Sequence, residues 1–163
     1  MKNEKNEKNE IKYVKGDVTN PYQVEGRKIL VHVCNDIGLA GAGVIVAIKR
    51  KWPEAIKEYQ RWFRSRKGFE LGRVQFIKVE DDIVVCNMIG QKGVRSRGNQ
   101  KPIRYSAIED CLGKVCEGAL RNEATIICPR FGCGLAGGSW NRIEEIIEEK
   151  LCKKGVQVVV YDL

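Results

Sequence analysis

The chain has 163 residues, enough for one domain with a sizeable core, and its 43% hydrophobic and 31% charged residues fit a globular protein rather than a disordered or fibrous one. No apolar run approaches the roughly 20 residues that cross a bilayer, and the amino terminus carries no apolar signal core, so a cytoplasmic protein without a membrane partner is expected. A formal charge of +8 suits an anionic partner.

Residues 1–10, "MKNEKNEKNE", have no apolar face to bury and are expected to form a disordered tail ahead of a single domain over 11–163. Strands then alternate with helices. "IKYV" (11–14) reads as a first strand and "KILVHVC" (28–34) as a second, whose unbroken apolar run suits a strand covered on both faces. Residues 42–50 and 54–66 read as helical, with a break or new start at Pro53. "RVQFIKV" (73–79) and "IVVCNMI" (83–89) read as strands joined by the turn "EDD". Tyr105, Ile108, Leu112, Val115 and Ala119 recur at helical spacing, with Pro102 suited to the first turn, or Ser106 and Glu109 to a capping box if the helix starts later. "TIICP" (125–129) leads into the glycine-rich "RFGCGLAGGSW" (130–140). Ser139 is expected to cap a helix carrying Ile143, Ile146, Ile147 and Leu151, and "VQVVVY" (156–161) closes the domain.

Such alternation implies a three-layer α/β domain with a largely parallel sheet, and ligands in these sheets bind beyond the carboxyl ends of the strands. The loops 35–43, 90–101 and 130–138 all follow strands. Glycine lets backbone N–H groups approach a ligand closely, and a glycine turn entering a helix is an anion site, although the same motif also serves as a plain tight connection. The seven cysteines are odd in number and lie mostly among apolar residues without a CxxC pair, and there is one histidine. They read as reduced and buried, with no metal expected. The basic stretches "KRKW" (49–52), "RWFRSRK" (61–67) and "KGVRSRGNQK" (92–101) could meet nucleic acid, but a solvated helix face and a mobile loop are favoured, so nucleic acid is not the favoured partner.

Four separated motifs, "YVKGDV" (13–18), "VHVCNDIGLAGAGV" (31–44), "CNMIGQ" (86–91) and "PRFGCGLAGG" (129–138), together resemble the macro domain family. The likeness is to the branch of the ADP-ribose 1″-phosphate phosphatases and terminal ADP-ribose glycohydrolases. It implies an α/β/α macro domain with a mixed, largely parallel sheet, acting without a cofactor as a monomer that binds ADP-ribose or ADP-ribose 1″-phosphate. Asp17 matches the acid that accepts from the adenine amino group, with Val18 beside it; a turn or capping aspartate is the plain alternative. Gly41, Ala42 and Gly43 match a first phosphate loop, and Gly132, Cys133, Gly134, Leu135 and Ala136 a second. Tyr161 and Leu163 match positions near the adenine, where plain core is the alternative for the tyrosine.

His32 and Asn35 stand in an "HxCN" setting like that of the phosphatases, which implies catalytic roles at the distal phosphate and ribose. On the residues alone, a satisfied core histidine is the favoured reading of His32, and an Asx-turn fits Asn35 equally well. The glycohydrolases use a lysine after "CNMI" and an aspartate after "GCGL"; here those positions hold Gln91, with Lys92 next to it, and Ala136. The expected activity is therefore hydrolysis of ADP-ribose 1″-phosphate. A hydrolase freeing ADP-ribose from a macromolecule, with Lys92 or Asp36 replacing the missing pair, and a non-catalytic reader remain as alternatives.

Overall fold

A computed structural model describes residues 9–163; the first eight residues of the expected tail lie outside the described residues. Six strands form one sheet: β1 (Lys12–Lys15), β2 (Lys28–Asn35), β3 (Val74–Glu80), β4 (Ile83–Gln91), β5 (Thr125–Cys128) and β6 (Val158–Asp162). Their order is β1-β6-β5-β2-β4-β3, parallel throughout except for the β3–β4 hairpin. The helices are α1 (Val44–Lys51), α2 (Pro53–Ser65), α3 (Tyr105–Asn122) and α4 (Trp140–Lys150).

The strand period of two sorts the core into halves. Along β2, Ile29 and Val31 pack with Ile108, Leu112, Ile143 and Ile147 of α3 and α4. Leu30 and Cys34 face the other way, against Ile45, Ile48, Ile56 and Tyr59 of α1 and α2. Both faces of the sheet are therefore covered, as the apolar β2 run requires. Pro53 opens α2 at its first position, where a missing N–H costs nothing, and Trp52 forms the joint.

Two capping expectations fail. Helix α3 begins at Tyr105 behind Arg104, so Pro102 precedes it and the Ser106–Glu109 box lies inside it. Ser139 does hold the N-cap position of α4, but its hydroxyl makes no capping bond; its N–H instead donates to the Tyr105 hydroxyl at 2.9 Å. Residues 92–101, expected to form a loop, lie within an arm over 91–103 tied by isolated bridges: Gln91 bridges Ile103, and Arg97 and Gln100 exchange backbone bonds of 2.8 and 3.0 Å. Six of the seven cysteines are buried and all are free thiols. Burial pushes Cys34, Cys86 and Cys128 upward, which keeps them protonated and inert.

Candidate functional site at the carboxyl end of the sheet

Strands β2 and β5 are neighbours, so the loops leaving their carboxyl ends, 36–43 and 129–138, lie side by side. Gly43 sits at φ +83° as the N-cap of α1, with no capping side chain and no acid in the first turn. Among the described residues, the N–H groups of Gly41, Ala42 and Gly43 find no acceptor in the protein. The same holds for five consecutive amides, Gly132 to Ala136. Exposed or half-buried backbone donors in such a run form a concave nest for an anion.

The second loop is braced so that those donors stay free. Gly138 N–H donates to the Gly132 carbonyl at 2.7 Å and Gly137 N–H to Gly134 at 3.0 Å. Gly132 has φ +78°, and a Cβ there would stand 2.8 Å from Ile103 and 3.0 Å from Ile143. Its glycine is thus a packing requirement. Gly41 and Gly134, by contrast, have open space where a Cβ would point. Cys133 is half-buried, Leu135 is 77% exposed at the loop tip, and Ala136 is buried with its carbonyl accepting from Ile103 N–H.

Asp17, exposed just beyond β1, accepts at Oδ1 from the Thr19 N–H (2.8 Å) and hydroxyl (2.7 Å). Those two bonds hold its carboxyl below the usual carboxylate range. Oδ2 has only Asn20 at 3.4 Å, which leaves it open to a ligand donor. Val18 is buried in the α1/α2 core, and Tyr161 is buried with its ring beside Gly16 and its hydroxyl donating to Gln23 at 2.9 Å. Neither presents a free face.

Asn35 is not free for a sugar. Its Oδ1 accepts from Ile37 N–H (3.1 Å), Leu39 N–H (3.0 Å) and the Tyr59 hydroxyl (2.9 Å), and its Nδ2 donates to Leu39 O (2.9 Å). It is the Asx-type brace of the first loop. His32 fits its catalytic expectation no better. Its ring points with Leu30 and Cys34 into the α1/α2 layer, fully buried, with Nε2 2.6 Å from Asn87 Oδ1. Asn87 in turn donates to Ala55 O and Gln75. Burial pushes the imidazole down to about 4, so it is neutral near pH 7 and sealed from the loops.

The titratable groups that do reach the surface between β2 and β4 are Asp36 and Lys92. Asp36 Oδ1 accepts from Gly93 N–H at 2.7 Å, and Oδ2 lies 3.7 Å from Lys92 Nζ. The carboxylate is 19% exposed and the lysine 57%. Gln91 turns aside to donate to the Gly93 carbonyl at 3.0 Å. Arg130, which sequence reasoning passed over, anchors the start of the second loop by a two-pronged bond to Asp162 at 2.7 and 3.0 Å and lies over the rings of Tyr13 and Trp140. The signal was an arginine following the Pro at a strand end, with an aspartate at the end of the neighbouring strand.

Comparison with known proteins places this geometry. The Macro domain family model matches residues 31–147. The chain is 30% identical over 162 residues to ADP-ribose glycohydrolase OARD1 of Bos taurus, covering 99% of this chain and 97% of that one. It is 26% identical over 155 residues to ADP-ribose 1″-phosphate phosphatase of Candida albicans, covering 85% and 92%. Against Chromodomain-helicase-DNA-binding protein 1-like of Danio rerio it is 29% identical over 160 residues, which is 93% of this chain but spans only 15% of that protein. A macrodomain protein from Streptomyces coelicolor superposes with a TM-score of 0.83 at 45% identity, over 94% of this chain and 99% of its own. The sheet order, the two glycine loops and these matches agree: the chain belongs to the macro domain family.

Proposed function

We propose that the cleft binds ADP-ribose and that the protein, acting as a cytoplasmic monomer, hydrolyses ADP-ribose 1″-phosphate to ADP-ribose and phosphate. The observation that carries the ligand assignment is the set of unpartnered amides on two adjacent loops, Gly41–Gly43 and Gly132–Ala136. A diphosphate satisfies such donors without lysines. The open Oδ2 of Asp17 then suits the adenine amino group at one end. The distal ribose falls at the ends of β2 and β4, beside Asp36 and Lys92.

There Asp36 takes the proton of a water whose oxygen bonds to phosphorus. The bond from phosphorus to the ribose oxygen breaks, and that oxygen takes a proton from solvent. The Lys92 ammonium offsets charge on the phosphate. Asn35 acts on this chemistry through the loop it braces, and His32 through the sheet beneath. The similarity to an ADP-ribose 1″-phosphate phosphatase supports the reaction. Phosphate release from ADP-ribose 1″-phosphate tests it: Asp36→Asn is expected to slow turnover by about 100-fold or more. Wild-type protein that binds ADP-ribose but releases no phosphate would overturn the reading.

A second reading is favoured by the same 3.7 Å pair and by the similarity to an ADP-ribose glycohydrolase. Lys92 would attack the anomeric carbon of an attached ADP-ribose while Asp36 assists proton transfer. Lys92→Arg separates the two, since it keeps the charge that phosphate hydrolysis needs and removes the nucleophile that release of attached ADP-ribose needs.

A further inference from the structure

We propose that the arm 91–103 is a docking surface for the phosphodiester backbone of a nucleic acid. Between Lys92 and Arg104 the chain carries five cations (Lys92, Arg95, Arg97, Lys101 and Arg104) and no acid. Lys92 is committed to Asp36, but among the described residues Arg95, Arg97, Lys101 and Arg104 form no ion pair. A solvated surface of this net charge usually interleaves acids, as α2 does with Glu54–Lys57 and Glu58–Arg61.

The arm's backbone is hydrogen-bonded, which fixes where along it the cations emerge. Lys92 N–H donates to Pro102 O at 2.8 Å and Ile103 N–H to Ala136 O at 3.1 Å, and the Arg97–Gln100 bridge closes the tip. Arg104 is steadied by the carbonyls of Lys101, Pro102 and Ile103. Arg95, Arg97 and Lys101 are exposed. Where the arm meets the second glycine loop lies an open depression of about 580 Å³, lined by Asn99, Lys101, Arg104, Tyr105 and Ser139 among others. Its donors are backbone, amide, hydroxyl and cationic groups, the set that contacts phosphate and sugar without reading sequence. A single phosphate needs one such cation; four spread along one arm, at 95, 97, 101 and 104, match a chain of phosphates. Lys92 stands at the root of the arm in its pair with Asp36, and the four cations beyond it do not depend on which reaction that pair performs.

The test is fluorescence anisotropy of the full chain with a labelled mixed-sequence 20-nucleotide DNA and, in parallel, the matching RNA, across 50–200 mM salt. Four phosphate contacts predict a log–log slope near −2.8 and about a 50-fold affinity loss over that range. Arg95→Ala with Arg97→Ala should bring the slope to about −1.4. Both proteins should bind ADP-ribose equally by calorimetry, which separates failure here from failure of the ADP-ribose reading. Equal binding of DNA and RNA supports backbone docking. No binding of either at 50 mM salt, an unchanged slope in the double variant, or equal binding of a poly-glutamate peptide would each overturn the proposal.

Discussion

Lowering the pH should destabilise this protein through His32 in a way that one substitution removes. The ring is fully buried against Asn87, and its pKa lies at about 4, below the roughly 6.5 of an unfolded chain. The unfolded state therefore takes up the proton first as pH falls. The stabilisation is complete above about pH 6.5 and is lost progressively down to about pH 4. Because the ring has no solvent contact, no screening discount applies, and the loss between pH 7 and pH 5 comes to about 2 kcal/mol. His32 is the sole histidine, so wild type and His32→Gln differ in no other group titrating there. Urea unfolding followed by tryptophan fluorescence at pH 7 and pH 5 gives the two differences. The variant should lose about 2 kcal/mol less than wild type across that interval. Equal losses, or a folded-state imidazole that titrates near 6.5 by NMR, would refute the burial argument and restore His32 as an acting base.

Three further substitutions probe the cleft. Gly132→Ala places a Cβ 2.8 Å from Ile103 at φ +78°, and thermal unfolding should show about 1–3 kcal/mol lost; an unchanged midpoint would mean the second loop is not packed as described. Tyr59→Phe removes the bonds to Asn35 O (2.7 Å) and Oδ1 (2.9 Å), and should cost about 1–2 kcal/mol in urea while weakening ligand binding through the first loop. Asp17→Ala should weaken ADP-ribose by at least about tenfold, or 1.4 kcal/mol, in a calorimetric titration, and equal affinity would remove the adenine assignment.

Much of the architecture is written in local patterns. The apolar runs of β2 and β4 demand cover on both faces, and the spacing of Ile143, Ile146, Ile147 and Leu151 places α4 against the sheet. Glycine loops after β2 and β5 mark the site, because backbone donors need only small residues and a strand end. What is not local leaves a weaker mark in the sequence. His32 shares parity with Leu30 and Cys34, a signal present in the sequence, but its partner Asn87 comes from strand register across 55 residues. The pairing of Asp36 with Lys92 likewise depends on β2 and β4 lying side by side. Ser139 stands at the N-cap position the sequence marks, yet its hydroxyl makes no capping bond while its N–H donates to Tyr105, and Ser106 lies inside α3, because tertiary packing outranks a local capping preference.

The most direct measurement is a calorimetric titration of ADP-ribose into wild type and Gly134→Val. Gly134 has open space where its Cβ would point and no left-handed backbone, so valine leaves the fold intact while adding bulk in the middle of the second run of amides. The account predicts saturable one-to-one binding by wild type and a loss of at least about tenfold in the variant, with unchanged thermal unfolding. No binding by wild type, or equal binding by both, would contradict the claim that these backbone donors hold the diphosphate.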